Sequence, residues 1–218
     1  MDLLKLIRLV AVIFLLLPIP SPAAETLAPA AIVDELHATL LATMKKANEL
    51  GYSGRNQALY PVVSKLFDFP AIAKVVLGRH WNKLDDRQQS LFIDTFIKLS
   101  TATYASRFDG YSGEKFRRVS EEKLKRDRLL IRTELVKANG EVVKLDYVLQ
   151  QEGERWLIIN VIADGVSDLS LKRADYTSIL ESQGFDALIA SLNKKIAQYE
   201  TPERSARASA SRGQDKPI

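Results

Sequence analysis

Apolar residues recur every three or four positions through the first half of the chain, which predicts a series of amphipathic helices. The first predicted helix runs from Ala30 to Ala47, and a short second helix begins at Pro61. A third is predicted between Asp68, which is a natural N-cap, and Gly78, which suits a helix end. Three short helices in succession predict a curved wall rather than a single rod.

The strongest helical pattern runs from Asp85 to Phe108, and the spacing of Asp85 and Gln88 is that of a capping box. Its apolar side forms two adjacent stripes, Phe92, Phe96, Leu99 and Thr103 in one and Ile93, Ile97, Thr101, Tyr104 and Phe108 in the other. Together the stripes are wider than one amphipathic face needs. We therefore expect this helix to bury two sides, against two protein layers or against one layer and a ligand.

Alternation with a period of two replaces the helical pattern between Phe116 and Ala163. It predicts a meander of three antiparallel strands, joined by turns at Asn139-Gly140 and Glu152-Gly153. Asn-Gly between alternating apolar residues is the strongest short-range indication of a hairpin. Two more helices follow, from Leu171 to Gln183 and from Phe185 to Ala197. This order predicts an α+β domain in which helices pack on a curved antiparallel sheet.

The last two strands of this meander differ in their apolar content. In the middle strand, polar residues alternate with Val143, Leu145, Tyr147 and Leu149, which predicts one buried and one wet face. In the last strand, both alternate sets are apolar, with Leu157, Ile159 and Val161 opposite Trp156, Ile158 and Ile162. We expect the last strand to be central in the sheet and covered on both sides.

The two ends of the 218-residue chain differ from the rest. Residues 1–23 combine a basic start, an apolar run from Leu9 to Leu17 and small residues at Ser21 and Ala23, which predicts a cleavable signal peptide and export to a bacterial periplasm. The apolar run is shorter than the ~20 residues that span a bilayer. The segment 201–218 is rich in Ser, Ala and Arg, which predicts a disordered tail and leaves residues 24–200 as one folded domain.

Charge and cysteine content exclude some classes of protein. The formal net charge is +4, but the leader and the tail carry most of it. The small net charge of the folded part gives no indication of a nucleic-acid partner. The absence of cysteine means that an oxidising compartment would neither help nor harm the fold. Stability must therefore come from an ordinary apolar core.

Few residues offer catalytic chemistry. Ser167 lacks the second glycine of a serine elbow, which favours a role in a turn and at a helix start. His37 and His80 stand apart in sequence, so we interpret them as surface or link histidines and expect no metal site or cofactor. Asp164, at the end of the last strand, is the one serious candidate for a general base, although a turn carboxylate that accepts backbone N–H bonds is the favoured interpretation.

Two other features remain open from pattern alone. The basic residues Arg117, Arg118, Lys123, Lys125, Arg126 and Arg128 suit a solvated strand edge, or a surface that steers a partner or meets an anionic membrane. The abundant apolar surface suits either an ordinary core or a cavity for an apolar ligand.

Several segments resemble the MlaC family of periplasmic lipid-binding proteins, also named for toluene tolerance. They are "VVLGRHWNKLDDRQQSLFIDTF", "VVKLDYVL", "RWLIINVIADGVSDLSLKRADYTSIL" and "GFDALIASLNKKI", and the resemblance covers Ala31 to Tyr199. Its most specific elements are Leu77-Gly78 with Trp81, and the run that ends at Gly165-Val166-Ser167. Where the family has Glu before that Gly-Val-Ser, this chain has Asp164. The segments "FDFPAIAKVVLGRHW" and "TYASRFDGYSGEKF" further resemble the hopanoid-associated HpnM branch.

The resemblance implies a cystatin/NTF2-like antiparallel sheet wrapped by helices, with lipid tails in an apolar cavity between sheet and helices. It also implies a carrier that shuttles phospholipid or hopanoid between an inner-membrane transporter and an outer-membrane acceptor complex, with transient membrane contact. On this basis we predict a cavity lined by Phe92, Phe96, Leu99, Tyr104, Leu145, Tyr147, Trp156, Ile158 and Val166, with either Ile158 or its neighbour Ile159 facing the ligand.

Two alternative functions are compatible with the same fold shape. One is a small-molecule enzyme of the NTF2-like type, for which Asp164 and Tyr147 are the available polar groups. The other is a structural subunit that docks on a membrane transporter and has no cavity of its own, so that exposed apolar patches would take its place.

Overall fold

The computed structural model describes residues 28–212, and the side chains of residues 28–200. It is an α+β fold with a five-stranded antiparallel sheet in the order β1-β2-β3-β4-β5, which confirms the predicted fold class. The helices are α1 Pro29–Lys45, α2 Ala47–Leu66, α3 Phe69–Leu77, α4 Asp86–Arg107, α5 Asp168–Gln183 and α6 Phe185–Arg212, with a 3₁₀ helix at Gly78–Lys83. The strands are β1 Lys115–Leu124, β2 Arg128–Val136, β3 Val142–Glu152, β4 Arg155–Ala163 and β5 Val166–Ser167.

The helix ends of α3 and α4 follow the predicted caps. An Oδ1 oxygen of Asp68 accepts a hydrogen bond from Ala71 N at 2.9 Å, and Gly78 ends the helix at a φ of 50°. At the start of α4, Asp85 accepts from Gln88 N at 2.8 Å, while Asp85 N donates to the Gln88 side chain at 3.1 Å. This reciprocal pair is the predicted capping box.

Helix α2 begins 14 residues earlier than the sequence predicts, at Ala47 rather than Pro61. It bends at Gly51, whose φ of 58° and ψ of −177° interrupt the helical backbone. The sequence does not reveal the apolar stripe of this part of α2, because Arg55 occupies one of its buried positions. The Arg55 guanidinium group donates to Ala105 O at 2.9 Å and to Ala47 O at 3.2 Å. A buried arginine that bonds carbonyl oxygens replaces an apolar residue in the pattern.

Helix α4 buries more than one side, as its two stripes predict. Phe92, Phe96 and Leu99 are at most 2% exposed, and the helix packs against α2, α3 and α6. The side of α4 that does not contact these helices faces the sheet across an open space. Helix α4 is therefore both a core helix and one wall of that space.

The sheet contains a strand, β1, that the three-strand prediction did not count as a strand of its own. Strand β1 lies at the edge of the sheet and pairs with β2, and it is exposed at most positions. Its charged residues obscure the alternation, because both faces of an edge strand can carry charge. Arg117 and Arg118 pair there with Glu134 and Asp34, in agreement with a solvated strand edge.

The apolar run of β4 has a different origin from the one predicted. The strand is not central, because only the two-residue β5 lies beyond it. Leu149 pairs with Ile158 and Val148 pairs with Asn160, so Ile159 has no partner on β3. This β-bulge shifts the alternation by one residue, and both Ile158 and Ile159 are buried. Apolar residues before the bulge and apolar residues after it therefore lie on the same covered face of the sheet.

The outer edge of β4 is covered by the chain between α2 and α3. Phe67 forms a parallel bridge with Ile158, and Asp68 N donates to Ile158 O at 2.9 Å. This link anchors the start of α3 to the sheet. The sheet and the helical layer are thus tied together beside the bulge.

The predictions for the two ends of the chain are not settled by the fold. The predicted signal peptide at 1–23 lies outside the described residues. Helix α6 continues through residues 201–212, where the composition predicts disorder. Alanine and arginine are strong helix formers, which accounts for helical backbone there. The division into leader, folded domain and tail stays a prediction.

Among the helices of the described chain, none combines the length and the apolar character that crossing a bilayer demands.

Candidate functional site

A cavity of about 520 Å³ lies between α4 and the inner face of the sheet. This volume is within the range of about 300–1,000 Å³ that is usual for small-molecule sites. Its closed end is formed by buried residues, Met44, Phe67, Phe69, Ile72, Phe96, Tyr147 and Ile159. Its mouth is formed by exposed residues, Arg107, Asp109, Gly110, Ser112 and Asp168. The cavity thus leads from solvent to an apolar interior.

Aromatic rings form one continuous row along the cavity. Phe69 meets Phe96 edge to face at 5.7 Å between ring centroids, and Phe67 contacts Tyr104 at 6.1 Å. Tyr104 stacks on Phe108 at 5.9 Å, next to the mouth. Such offset and edge contacts add to the stability of buried rings. The row therefore gives the cavity a rigid apolar wall from its closed end to its mouth.

Charged side chains surround the mouth in equal numbers of each sign. The cations are Arg107, Lys137 and Lys172, and the anions are Asp109, Glu114 and Asp168. Lys172 pairs with Asp168, and Lys137 pairs with Glu141 at 2.7 Å. Arg107 has no ion-pair partner within the part of the chain that the structure describes. Its guanidinium group is thus available to an anion at the mouth.

The link between β4 and α5 positions one side of the mouth. Ser167 caps α5 by accepting from Ser170 N at 3.2 Å, and its hydroxyl donates to Asn160 Oδ1 at 3.2 Å. The same Asn160 oxygen accepts from Leu169 N at 3.3 Å. Ser167 therefore acts at the helix start, and α5 is fixed beside the cavity through Asn160.

Asp164 serves the turn rather than the cavity. It has a φ of 48°, and its Oδ1 accepts from Lys144 N at 2.9 Å. Its side chain is exposed and does not line the cavity. A carboxylate bonded to backbone N–H fits the turn interpretation, although the donor belongs to β3 and not to the Gly165 turn.

His37 is buried, and the interpretation of it as a surface histidine is wrong. Its Nε2 lies 3.0 Å from the hydroxyl of Tyr147, and its ring stacks on Phe116 at 3.8 Å between centroids. Burial lowers the pKa of His37 from 6.5 to about 4, so the imidazole is neutral near pH 7. The cluster joins α1, β1 and β3 beneath the cavity.

His80 lies in the link after α3, as the sequence predicts. Its Nε2 is 3.3 Å from an oxygen of Glu181 on α5, which Arg79 also contacts at 2.5 Å. No group of His, Asp or Glu side chains within residues 28–200 is arranged to hold a metal ion.

Comparison with protein-family models identifies the family. The family model described as MlaC protein matches residues 34–194. The chain belongs to the MlaC family.

A curated relative of this MlaC-family chain is the intermembrane phospholipid transport system binding protein MlaC of Haemophilus influenzae. It is 29% identical over 127 residues, which is 56% of this chain, and the match spans only 59% of the relative's own length. A solved structure of similar shape is the phospholipid-binding protein from Ralstonia solanacearum in complex with a phospholipid. The TM-score is 0.68 at 21% identity, over 78% of this chain and 98% of that one, and this likeness supports the fold.

Four of the nine residues predicted for the ligand site of this MlaC-family chain line the cavity: Phe96, Tyr104, Leu145 and Tyr147. Phe92 and Leu99 instead face the helical core, where Phe92 contacts Tyr176 at 6.1 Å. Trp156 packs against the core nearer the other end of β4, and Val166 is 51% exposed. Of the pair left open in β4, Ile159 lines the cavity and Ile158 does not.

The sequence prediction missed several cavity residues for structural reasons. Phe67 and Phe69 stand on either side of Asp68, at a helix boundary where no periodic pattern identifies an inward face. Met44 and Ile72 belong to the apolar stripes of α1 and α3, which were interpreted as ordinary core. The bulge that turns Ile159 inward leaves no trace in the sequence. Only the register of β3 and β4 reveals it.

Proposed function

We propose that this protein is a periplasmic carrier that holds a phospholipid in the cavity and moves it between membranes. The cavity carries this proposal, because it combines an apolar closed end with a charged, solvent-facing mouth. An amphipathic lipid fits that arrangement when its tails lie inside and its head group lies at the mouth. The family membership and the printed names of both relatives support the same cargo.

The energetics of lipid transfer favour a matched cavity. Exposing an acyl chain to water costs ~0.8 kcal/mol per CH₂, so about fifteen such groups cost roughly 12 kcal/mol. A carrier must replace most of that stabilisation, or the lipid never leaves the bilayer. A much tighter cavity would prevent delivery. Transfer is then nearly balanced, and the donor and acceptor complexes impose its direction.

The partners and the location belong to the same proposal. The predicted leader at 1–23 would export the chain to the periplasm, where an inner-membrane lipid transporter and an outer-membrane acceptor complex would exchange lipid with it. Contact with each membrane would be transient. The resemblance to the HpnM branch adds a hopanoid as an alternative cargo, whose rigid rings lose less conformational freedom on binding.

The two alternative functions make different demands on the cavity. An enzyme needs a reactive polar group inside it, yet Asp164 is bonded to a backbone N–H outside, and Tyr147 is bonded to His37. A structural subunit needs no cavity, yet one of about 520 Å³ is present. These observations favour the carrier.

The deciding experiment is native mass spectrometry of the mature protein, purified from its own periplasm without detergent. Lipid analysis of an organic extract then names the cargo. We expect a stoichiometric phospholipid, and a hopanoid would change the cargo but keep the carrier. A lipid-free mass, together with no uptake from phospholipid vesicles, would contradict the proposal.

A further inference from the structure

Helix α4 presents polar groups to the cavity as well as aromatic ones. Going from the closed end towards the mouth, the cavity-lining residues of α4 are Phe96, Ser100, Thr103, Tyr104 and Arg107. Residues four apart lie on one face of a helix, about one turn from each other. A site for hydrocarbon alone has no need of hydroxyl groups on this face.

The three threonine hydroxyls of α4 are satisfied within the helix itself. Thr95, Thr101 and Thr103 each donate to the carbonyl oxygen four residues earlier, at 2.8–2.9 Å. Ser100 and Tyr104 make no such bond, and neither hydroxyl has a hydrogen-bond partner in the described chain. No described side-chain N or O atom that is shielded from solvent lacks a partner. Both hydroxyls must therefore be open to the cavity.

The surroundings of Tyr104 make its hydroxyl a donor. The ring lies between Phe67 and Phe108, and burial, together with the negative charge of Asp168, raises the pKa of Tyr104 above its ordinary value. A hydroxyl that keeps its proton in an apolar site gains most from a ligand that accepts a hydrogen bond. A partner in the ligand would also remove the penalty of leaving this group unbonded.

We propose that the Tyr104 and Ser100 hydroxyls donate hydrogen bonds to the ester carbonyl oxygens of a bound diacyl phospholipid. In such a lipid the carbonyls join the hydrocarbon to the glycerol, between the tails and the phosphate. Helix α4 carries groups in the same order: Phe96 for hydrocarbon, the two hydroxyls for carbonyls, and Arg107 at the mouth. This inference rests on the proposed function and adds the part of the lipid that α4 recognises.

The test is a competition between ester and ether lipids. Delipidated full-length mature protein is incubated with vesicles that contain equal amounts of a diester phosphatidylcholine and its diether analogue with matched chains. Native mass spectrometry then measures the ratio of the two complexes. We expect each of the two hydrogen bonds to favour the ester about fivefold, the effect of a typical net hydrogen bond. Tyr104→Phe should therefore lower the ratio about fivefold without reducing uptake of the ether lipid.

Tyr60→Phe is the matched control, because Tyr60 is 40% exposed on α2 and lies outside the cavity. It should keep the ester preference. Ser100→Ala should also lower the ester preference. If circular dichroism shows that Tyr104→Phe does not fold, the result for Ser100→Ala decides the test.

The outcomes separate this inference from the proposed function. Equal uptake of both lipids by the unchanged protein would overturn the inference and leave the carrier function intact. An ester preference that neither Tyr104→Phe nor Ser100→Ala lowers would also overturn it. Uptake of neither lipid would contradict the proposed function itself, and with it the inference.

Discussion

The hydroxyl of Tyr147 lies 3.0 Å from Nε2 of His37, and this bond joins the third strand of the sheet to the first helix. The two residues are 110 positions apart in the chain. Both are buried, and Tyr147 also contributes to the wall of the cavity. The contact therefore links the stability of the fold to the shape of the ligand site.

The buried imidazole makes stability depend on pH. The folded pKa of His37 is about 4 against 6.5 in the unfolded chain, so the unfolded state binds more protons between these values. The contribution of His37 is complete above pH 6.5 and is lost as the pH falls towards 4. We expect the loss of this contribution to lower the free energy of unfolding by up to about 3 kcal/mol at pH 4. Urea denaturation at a series of pH values across this range measures it.

One variant isolates that effect. His37→Gln cannot titrate and should flatten the pH dependence between pH 4 and 6.5. An unchanged slope in His37→Gln would show that other groups cause the loss of stability.

Filling the cavity should block lipid uptake. Leu145 lines the cavity from β3 and is only half-buried, so Leu145→Trp should occupy the space that a chain would take. We expect phospholipid loading to fall about tenfold or more, because overpacking costs about 1–3 kcal/mol. Lipid bound per protein is measured by native mass spectrometry. Leu91→Trp, at a 45% exposed position of α4, should load normally.

Phe92 should behave as a core residue and not as a ligand contact. It is fully buried against Phe96 and Tyr176, away from the cavity. Phe92→Leu should lower the free energy of unfolding by about 1 kcal/mol, as small core truncations do. The increase in melting temperature on adding phospholipid should equal that of the unchanged protein. A smaller increase would place Phe92 in the ligand site after all.

The capping box of α4 allows a closely matched comparison. Asp85→Ala removes the carboxylate that accepts from Gln88 N and should destabilise the protein by about 1 kcal/mol. Asp86→Ala removes a neighbouring carboxylate for which no capping bond is present. Chemical denaturation should therefore show a clearly smaller loss for Asp86→Ala. Equal losses would mean that charge near the helix start, and not the cap, stabilises α4.

Local rules explain which parts of the fold could be predicted from the sequence. The caps at Asp68 and Asp85 and the Asn139-Gly140 hairpin depend on a few neighbouring residues, so their signatures are present in the chain itself. The alternation of β3 likewise identifies its buried face. The same rules place Tyr147 and Leu145 together, and both line the cavity.

Features that depend on distant partners could not be predicted in this way. Arg55 is buried because it meets carbonyl oxygens of Ala47 and Ala105, and its charge makes the first half of α2 look like a loop. His37 looks like a surface residue until Phe116 and Tyr147 are placed beside it. In both cases a polar side chain occupies a buried position because a partner far along the chain satisfies it.

The unpaired Ile159 has a consequence for how this protein can change over time. Deleting that one residue would keep the pairs on either side of it, Leu149 with Ile158 and Val148 with Asn160, and would restore regular alternation in β4. Deleting a residue elsewhere in the strand would instead turn part of it over and move its apolar side chains to the other face of the sheet. A change of one residue in the length of β4 is therefore compatible with the sheet at Ile159, at the loss of one side chain from the cavity wall, and not elsewhere in the strand.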